Sequence, residues 1–310
     1  MRALLPLLAA SALVLNALCA QEEQPLFKSG ANVVRVDVQV EEGGRLLNDL
    51  TREDFRIFDD NASQPATHFG HEREPVSLLL LLDVSGSMVK SIDALARASR
   101  QAMSVLKPED KVAVMLFARN QKVTQEFTGD FEAVSRQINS AVNDKGLGSG
   151  TLINHAIVAA ADYMKENASA GRRAMLIVTD NLGLNYQLND EQTLKKLHAA
   201  NTVLNAIITG RARRPEPDPK GRYTNPDFTP ANVFTLSEET GGEAFKPGNL
   251  ESSLGLIFDR IRNRYALEYS APSAGARGAF HRIRVTLSPE AQRRFPKVQL
   301  RARVGYYATE

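Results

Sequence analysis

Residues 34–40 read VRVDVQV, with valine at every second position and Arg35, Asp37 and Gln39 between them. Strict alternation of this kind predicts a half-buried strand, valines inward and polar side chains on the outer face. A turn at 41–44 (EEGG) follows, then Thr51 with Asp54 three residues on predicts a capped helical turn. Residues 55–58 predict a second strand, ended by Asp59-Asp60-Asn61. At Val76 the pattern changes. Residues 78–82 are leucine at every position up to Asp83, the mark of a strand buried on both faces in a parallel sheet.

Helical and apolar-strand patterns then alternate. Helices are predicted near 91–106, 131–142, 152–165 and 190–200, and strands at 111–117, 174–179 and 203–209, with a short strand near Val123 and a glycine-rich loop at 146–150. The alternation predicts an α/β fold with a Rossmann-like, doubly wound, mostly parallel sheet. A proline-rich loop, 211–230, precedes two more helical stretches at 232–240 and 250–264. The tail returns to strand-like alternation at 265–270, 281–287 and 298–304, where Arg282, Arg284, Arg301 and Arg303 read as a solvated sheet face rather than an anion patch. Neither β flank has enough strands for a stable sheet of its own. The two are therefore expected to pair into a small β domain, 21–74 with 265–310, that holds the α/β domain, 75–264, as an insertion.

Residues 1–20 stand apart. Arg2 precedes an apolar run, 3–20, interrupted only by Pro6, Ser11 and Asn16 and followed by the polar stretch 21–24. This predicts a secretory signal peptide cut after Ala20 and a secreted or periplasmic protein. An uncleaved membrane anchor is the alternative, because the run is close to the shortest stretch that spans a bilayer. No later segment is long and apolar enough to do so, and no membrane span is expected after cleavage.

Composition narrows the chemistry. The 310 residues suit about two domains, and 43% hydrophobic with 24% charged content describes a folded chain. Lys and Arg total 38 against 36 Asp and Glu, so no global positive field points to nucleic acid. The one cysteine, Cys19, excludes a disulfide framework, a cysteine-ligated zinc and an iron–sulfur centre. Any metal must be held by oxygen or histidine.

Asp83-Val84-Ser85-Gly86-Ser87 closes the leucine-rich strand at the sheet edge where open α/β folds bind ligands. One carboxylate and two hydroxyls from a tight loop are hard oxygen donors suited to a small hard cation. The alternative is an ordinary strand-to-helix turn in which Ser87 caps the next helix. Gly150-Thr151 before a helix and Thr179-Asp180 after a strand fall at the same predicted end of the sheet.

With these three elements assembled, residues 75–264 resemble the von Willebrand factor type A domain, whose hallmark is the metal-ion-dependent adhesion site. The resemblance implies that Ser85, Ser87 and Thr151 supply hydroxyl ligands, and that Asp83 and Asp180 act directly or through water. Mg²⁺ is the implied ion, with Mn²⁺ able to replace it. In integrin-like members an open coordination position takes an acidic residue of a partner protein. Charge agrees with this, since two carboxylates and neutral hydroxyls leave a divalent ion electrophilic. More broadly, the chain looks like secreted bacterial proteins of that group, with L-T-x-x-D-F at 50–55 and G-Y-Y at 305–307. Two positions depart from the pattern. Asn181 stands where T-D-G is frequent, and His155 where many bacterial members carry an acid; His155 reads as a packing or hydrogen-bonding residue outside the metal shell.

The expected function is a secreted, Mg²⁺-dependent, adhesion-type protein-binding module that captures Asp or Glu of a partner, and not an enzyme. A structural scaffold with an incidental metal is the alternative. A hydrolase in which Asp83 and Asp180 activate water is a further one, but it lacks a histidine cluster, a nucleophile elbow and a phosphate loop. Residues 211–222 carry five basic and two acidic side chains, either a rim that attracts an acidic partner or a solvated loop.

Overall fold

A computed structural model describes residues 33–308 apart from 72–73, 142, 145, 170, 216–227 and 273–277. The expected leader and most of the proline-rich loop lie outside the described residues. Six strands form the central sheet in the order Ala244–Phe245, Val203–Ile208, Arg172–Thr179, Val76–Asp83, Lys111–Phe117 and Gln121–Thr128. Neighbours are parallel except the last pair, where Gln121–Thr128 returns as an antiparallel edge. That edge strand is longer than the sequence suggests. Its residues, QKVTQEFT, are mostly polar because an edge is only partly covered.

Val76–Asp83 is buried at every position. Leu78, Leu80 and Leu82 pack with helices Val89–Met103, Phe131–Ala141 and Leu250–Arg262, whereas Leu79 and Leu81 pack with Ile153–Asn167, Asp190–Ala199 and Val233–Glu239. The result is the Rossmann-like α/β fold that the alternation predicts, and the unbroken leucines are the consequence of helices on both faces. The next two strands in sequence, Lys111–Phe117 and Gln121–Thr128, lie on one side of Val76–Asp83, and the later strands of this sheet lie on the other. Winding therefore reverses at Val76–Asp83, and the C-terminal end of a strand at such a reversal is where open α/β folds bind ligands.

The two ends of the chain meet in two further antiparallel sheets. One has the order Val298–Arg301, Val33–Glu42, Tyr265–Ser270, His68–Gly70, and the other Gly305–Tyr307, Phe280–Leu287, Phe55–Asp59, Ala62–Gln64. Val33 stands opposite Ser270, and Phe55 opposite Leu287. Val36, Val38, Ile57, Leu267, Tyr269 and Ile283 share the core between them.

The polar faces of these strands correct the sequence reading. Asp37 and Gln39, expected outward, are 4% and 0% exposed. Arg172 Nε donates to Asp37 Oδ1 at 3.3 Å, and its two terminal nitrogens donate to the carbonyls of Arg262 and Arg264. Arg264 in turn donates to Gln39 Oε1 at 3.0 Å and to the Gly241 carbonyl at 2.6 Å. Arg303, expected in solvent, is buried and donates to Asn201 Oδ1 at 2.8 Å and His198 Nδ1 at 3.2 Å. Burial and the Arg303 charge lower the His198 pKa to about 3, so the ring is neutral and its Nδ1 accepts. Arg301 is half-buried, and of the four arginines expected on a solvated face Arg282 and Arg284 are exposed, Arg284 lying 4.0 Å over the Phe58 ring. Alternation marks a polar face without saying whether water or protein covers it.

Burial opposes the ionisation of Asp37, yet the Arg35 and Arg172 charges outweigh it and hold its pKa below the usual carboxylate range. A depressed pKa stabilises the fold fully above the unfolded value of about 3.9, and the contribution is lost as pH falls through the folded value. Urea midpoints measured between pH 6 and pH 2 are therefore expected to fall on the acid side, and to fall less steeply for Asp37→Asn. Equal acid slopes for the two proteins would contradict this.

Candidate metal-binding site

Asp83 ends the central strand fully buried. Its Oδ1 accepts the Ser85 backbone N–H at 3.0 Å, and its Oδ2 accepts the Thr179 hydroxyl at 2.8 Å. Burial pushes the Asp83 pKa up; the Ser85 and Thr179 hydrogen bonds pull against this, and neighbouring Asp180 adds to the rise. Beyond it the loop opens toward solvent, Ser85 half-buried and Ser87 exposed, with their Oγ atoms 3.3 Å apart. A single 3₁₀ turn, Gly86–Met88, leads into the helix Val89–Met103, whose N-cap is Met88 with no side-chain cap bond. Ser87 does not cap that helix, and its hydroxyl faces Ser85 instead.

Thr151 stands on the adjoining loop. That loop is fastened to the end of Lys111–Phe117 by Asn120 N–H to the Leu147 carbonyl at 2.9 Å and Leu152 N–H to the Ala118 carbonyl at 3.0 Å. Gly150 has φ +96°, a conformation that only glycine adopts without strain, and it sets Thr151 just ahead of the helix Ile153–Asn167. A Cβ on Gly183 would come within 2.9 Å of the Thr151 carbonyl, so the loop after Asp180 packs directly on the Thr151 backbone.

Asp180 follows Arg172–Thr179, is 7% exposed, and accepts the Leu182 N–H on Oδ1 at 3.0 Å. Asn181 has φ +53°, in the left-handed region that glycine and asparagine tolerate best. This explains the departure from T-D-G: asparagine keeps the turn and adds a tether. Its Nδ2 donates to the Ala231 carbonyl at 3.0 Å, and its Oδ1 accepts the Val233 N–H at 3.4 Å, which anchors the start of Val233–Glu239. Losing these buried bonds in Asn181→Gly is expected to cost about 1–2 kcal/mol. Asn181→Ala adds the left-handed penalty of about 1–2 kcal/mol. Urea denaturation of both variants checks the order; equal losses would remove the conformational part. His155 Nε2 lies 2.6 Å from the Tyr186 carbonyl, in keeping with a hydrogen-bonding role.

The arrangement suits a hard divalent cation. Asp83 and Asp180 repel one another, and the other groups acting on Asp83 are neutral N–H and hydroxyl donors. Sequence reading missed the Thr179 hydroxyl as the group that orients Asp83 and Asn181 as the tether. A hydroxyl residue closing the strand beside a buried Asp was the available signal for Thr179.

A model of the von Willebrand factor type A domain matches residues 78–183, a span that includes Asp83, Ser85, Ser87, Thr151 and Asp180. Residues 78–183 carry a von Willebrand factor type A domain. Similar solved structures include an aerotolerance-related membrane protein from Bacteroides fragilis NCTC 9343 carrying multiple mutations to serine, at 18% identity and TM-score 0.44, covering 60% of this chain and 98% of that one. A von Willebrand factor type A protein from Catenulispora acidiphila is 11% identical at TM-score 0.45, covering 91% of this chain and 75% of its own. The pilus adhesin SpaC from Lactobacillus rhamnosus GG, in its open conformation, is also 11% identical at 0.45, covering 82% and 47%. No curated protein matches the sequence. In the type A domain of this chain, the matched span ends at Gly183, the residue packed against Thr151.

Proposed function

We propose that this type A domain is a protein-binding module, not an enzyme, in which Asp83, Ser85, Ser87, Thr151 and Asp180 hold Mg²⁺, or Mn²⁺ in its place. The observation that carries the proposal is the buried Asp83 carboxylate, oriented by Thr179 and Ser85, acted on by Asp180 and opening through exposed Ser87. The bound ion would supply an electrophilic position for an Asp or Glu side chain of the partner. Ser85 and Ser87 hold the solvent side of the site, and Thr179 and Ser85 keep Asp83 aimed at it. Two apolar side chains flank the metal residues in sequence and face solvent: Val89, 43% exposed, and Leu182, 70% exposed. They offer contact area beside a captured carboxylate.

The leader-like residues 1–20 support a secreted or periplasmic location, and among the described residues no helix is long and apolar enough to cross a membrane. We read 75–264 as the binding domain and the strands on either side as its frame. Arg211, Arg213 and Arg214 begin the basic loop; Arg214 is paired with Glu238 at 2.9 Å, and 216–227 lie outside the described residues. Immobilised protein, loaded with an extracellular fraction in Mg²⁺ and eluted with EDTA, is expected to release a bound protein that an Asp83→Ala column does not retain. Capture that survives both EDTA and Asp83→Ala would favour a scaffold, and an empty eluate would contradict capture.

A further inference from the structure

The β frame carries a second cluster that the type A site does not use. A carboxylate oxygen of Asp59, one of Asp60 and a ring nitrogen of His281 lie within 4.8 Å of one another. Asp59 ends one strand of the N-terminal flank, Asp60 begins the hairpin turn after it, and His281 lies on the C-terminal strand Phe280–Leu287. Asp60 and Asn61 have φ of +45° and +70°, which makes the tight two-residue turn into Ala62–Gln64. That turn brings Asp60 Oδ1 to the Arg282 N–H at 2.9 Å and Asp60 Oδ2 to His281 Nδ1 at 2.8 Å.

Asp59 supplies the independent observation. Its side chain is fully buried, and its Oδ2 accepts two phenol hydroxyls, Tyr269 and Tyr306, each at 2.9 Å. Its Oδ1 has no hydrogen-bond partner and lies 3.8 Å from His281 Nδ1. A buried carboxylate oxygen without a donor costs free energy unless a cation completes it. Burial and the adjacent Asp59 push both phenols up, so they remain donors. Phenols that fix the far oxygen of a ligand, and Tyr306 stacked on the His281 ring at 5.1 Å, are the outer-shell supports that metal ligands need.

We propose that Asp59, Asp60 and His281 form a second cation site, separate from the type A site, that takes a borderline divalent ion of the Zn²⁺ class. Mixed nitrogen and carboxylate donors suit such an ion better than Mg²⁺ or Ca²⁺. Ligand atoms about 2.1 Å from Zn²⁺ stand about 3.4 Å apart in a tetrahedron, and the 2.8 and 3.8 Å separations at His281 Nδ1 bracket that spacing. Asp60, with its side chain 55% exposed, leaves an entry path. The ion would tie the N-terminal flank to the strand Phe280–Leu287.

Tag-free Asp83→Ala protein, which lacks a key ligand of the first site, is titrated with Zn²⁺ by calorimetry at pH 7.5. One equivalent is expected to bind, with a Co²⁺-substituted visible spectrum showing nitrogen ligation. Adding Asp60→Asn, which keeps the acceptor for Arg282 N–H, should weaken Zn²⁺ at least tenfold, as should His281→Gln. No Zn²⁺ binding by the folded parent, or equal Zn²⁺ affinity in parent and the folded Asp60→Asn protein, would overturn the site and leave an ion-paired histidine in its place.

Discussion

Alanine in place of Arg172 is expected to lower the unfolding free energy by about 3–5 kcal/mol, the range for breaking a buried ion pair from one side. Arg172 is 1% exposed and begins the strand that ends beside Asp180. Its guanidinium serves Asp37 on the N-terminal β flank and the carbonyls of Arg262 and Arg264, where the last helix of the type A domain passes into the C-terminal flank. Removing it leaves Asp37 with Arg35 as its guanidinium partner and takes a donor from both buried carbonyls. Lysine should not restore stability, because one ammonium cannot reproduce a planar fork that reaches three acceptors. A fall in urea midpoint at constant m-value is the expected readout; a loss below about 1 kcal/mol would mean that water replaces the guanidinium at this interface.

The largest functional effect is expected from Asp83→Ala. It removes the only buried carboxylate among the five proposed ligands that also accepts from Thr179, and Mg²⁺ affinity should fall roughly 100-fold or more, since outer-shell partners alone are worth about 10–100-fold. Thr179→Val tests the outer shell. It keeps the shape of the strand end and removes the hydroxyl at 2.8 Å from Asp83, so about a tenfold loss is expected. Equal affinity in Thr179→Val and the wild type would mean that Ser85 alone orients the carboxylate.

The central sheet was legible because burial on both faces writes a continuous apolar run, and 78–82 is nothing but leucine. The capped turn at Thr51 was legible for a local reason, the Thr51 N–H reaching Asp54 Oδ2 at 2.8 Å. Short elements were not. Ala244–Phe245, Leu184–Tyr186 and the helix Pro289–Arg294 are too brief to show a period, and they form because neighbouring strands or a Ser288 cap accept them. The polar faces at Asp37, Gln39 and Arg303 were misread for a tertiary reason: their partners, Arg172, Arg264 and His198, lie far away in sequence. At the candidate metal site the motif residues stood out by chemistry and by their place at strand ends. Asn181 stood out only as a departure, and its positive φ and tether to Ala231 needed the folded chain to explain them.

Calorimetric titration of Mg²⁺ into the chelator-treated wild type and Asp83→Ala proteins tests the proposed adhesion site most directly. A single Mg²⁺ bound by the wild type, with Mn²⁺ competing for the same equivalent and Asp83→Ala binding neither, is the predicted result. A folded wild type that takes up no Mg²⁺, or an Asp83→Ala protein that binds it as tightly, would contradict it.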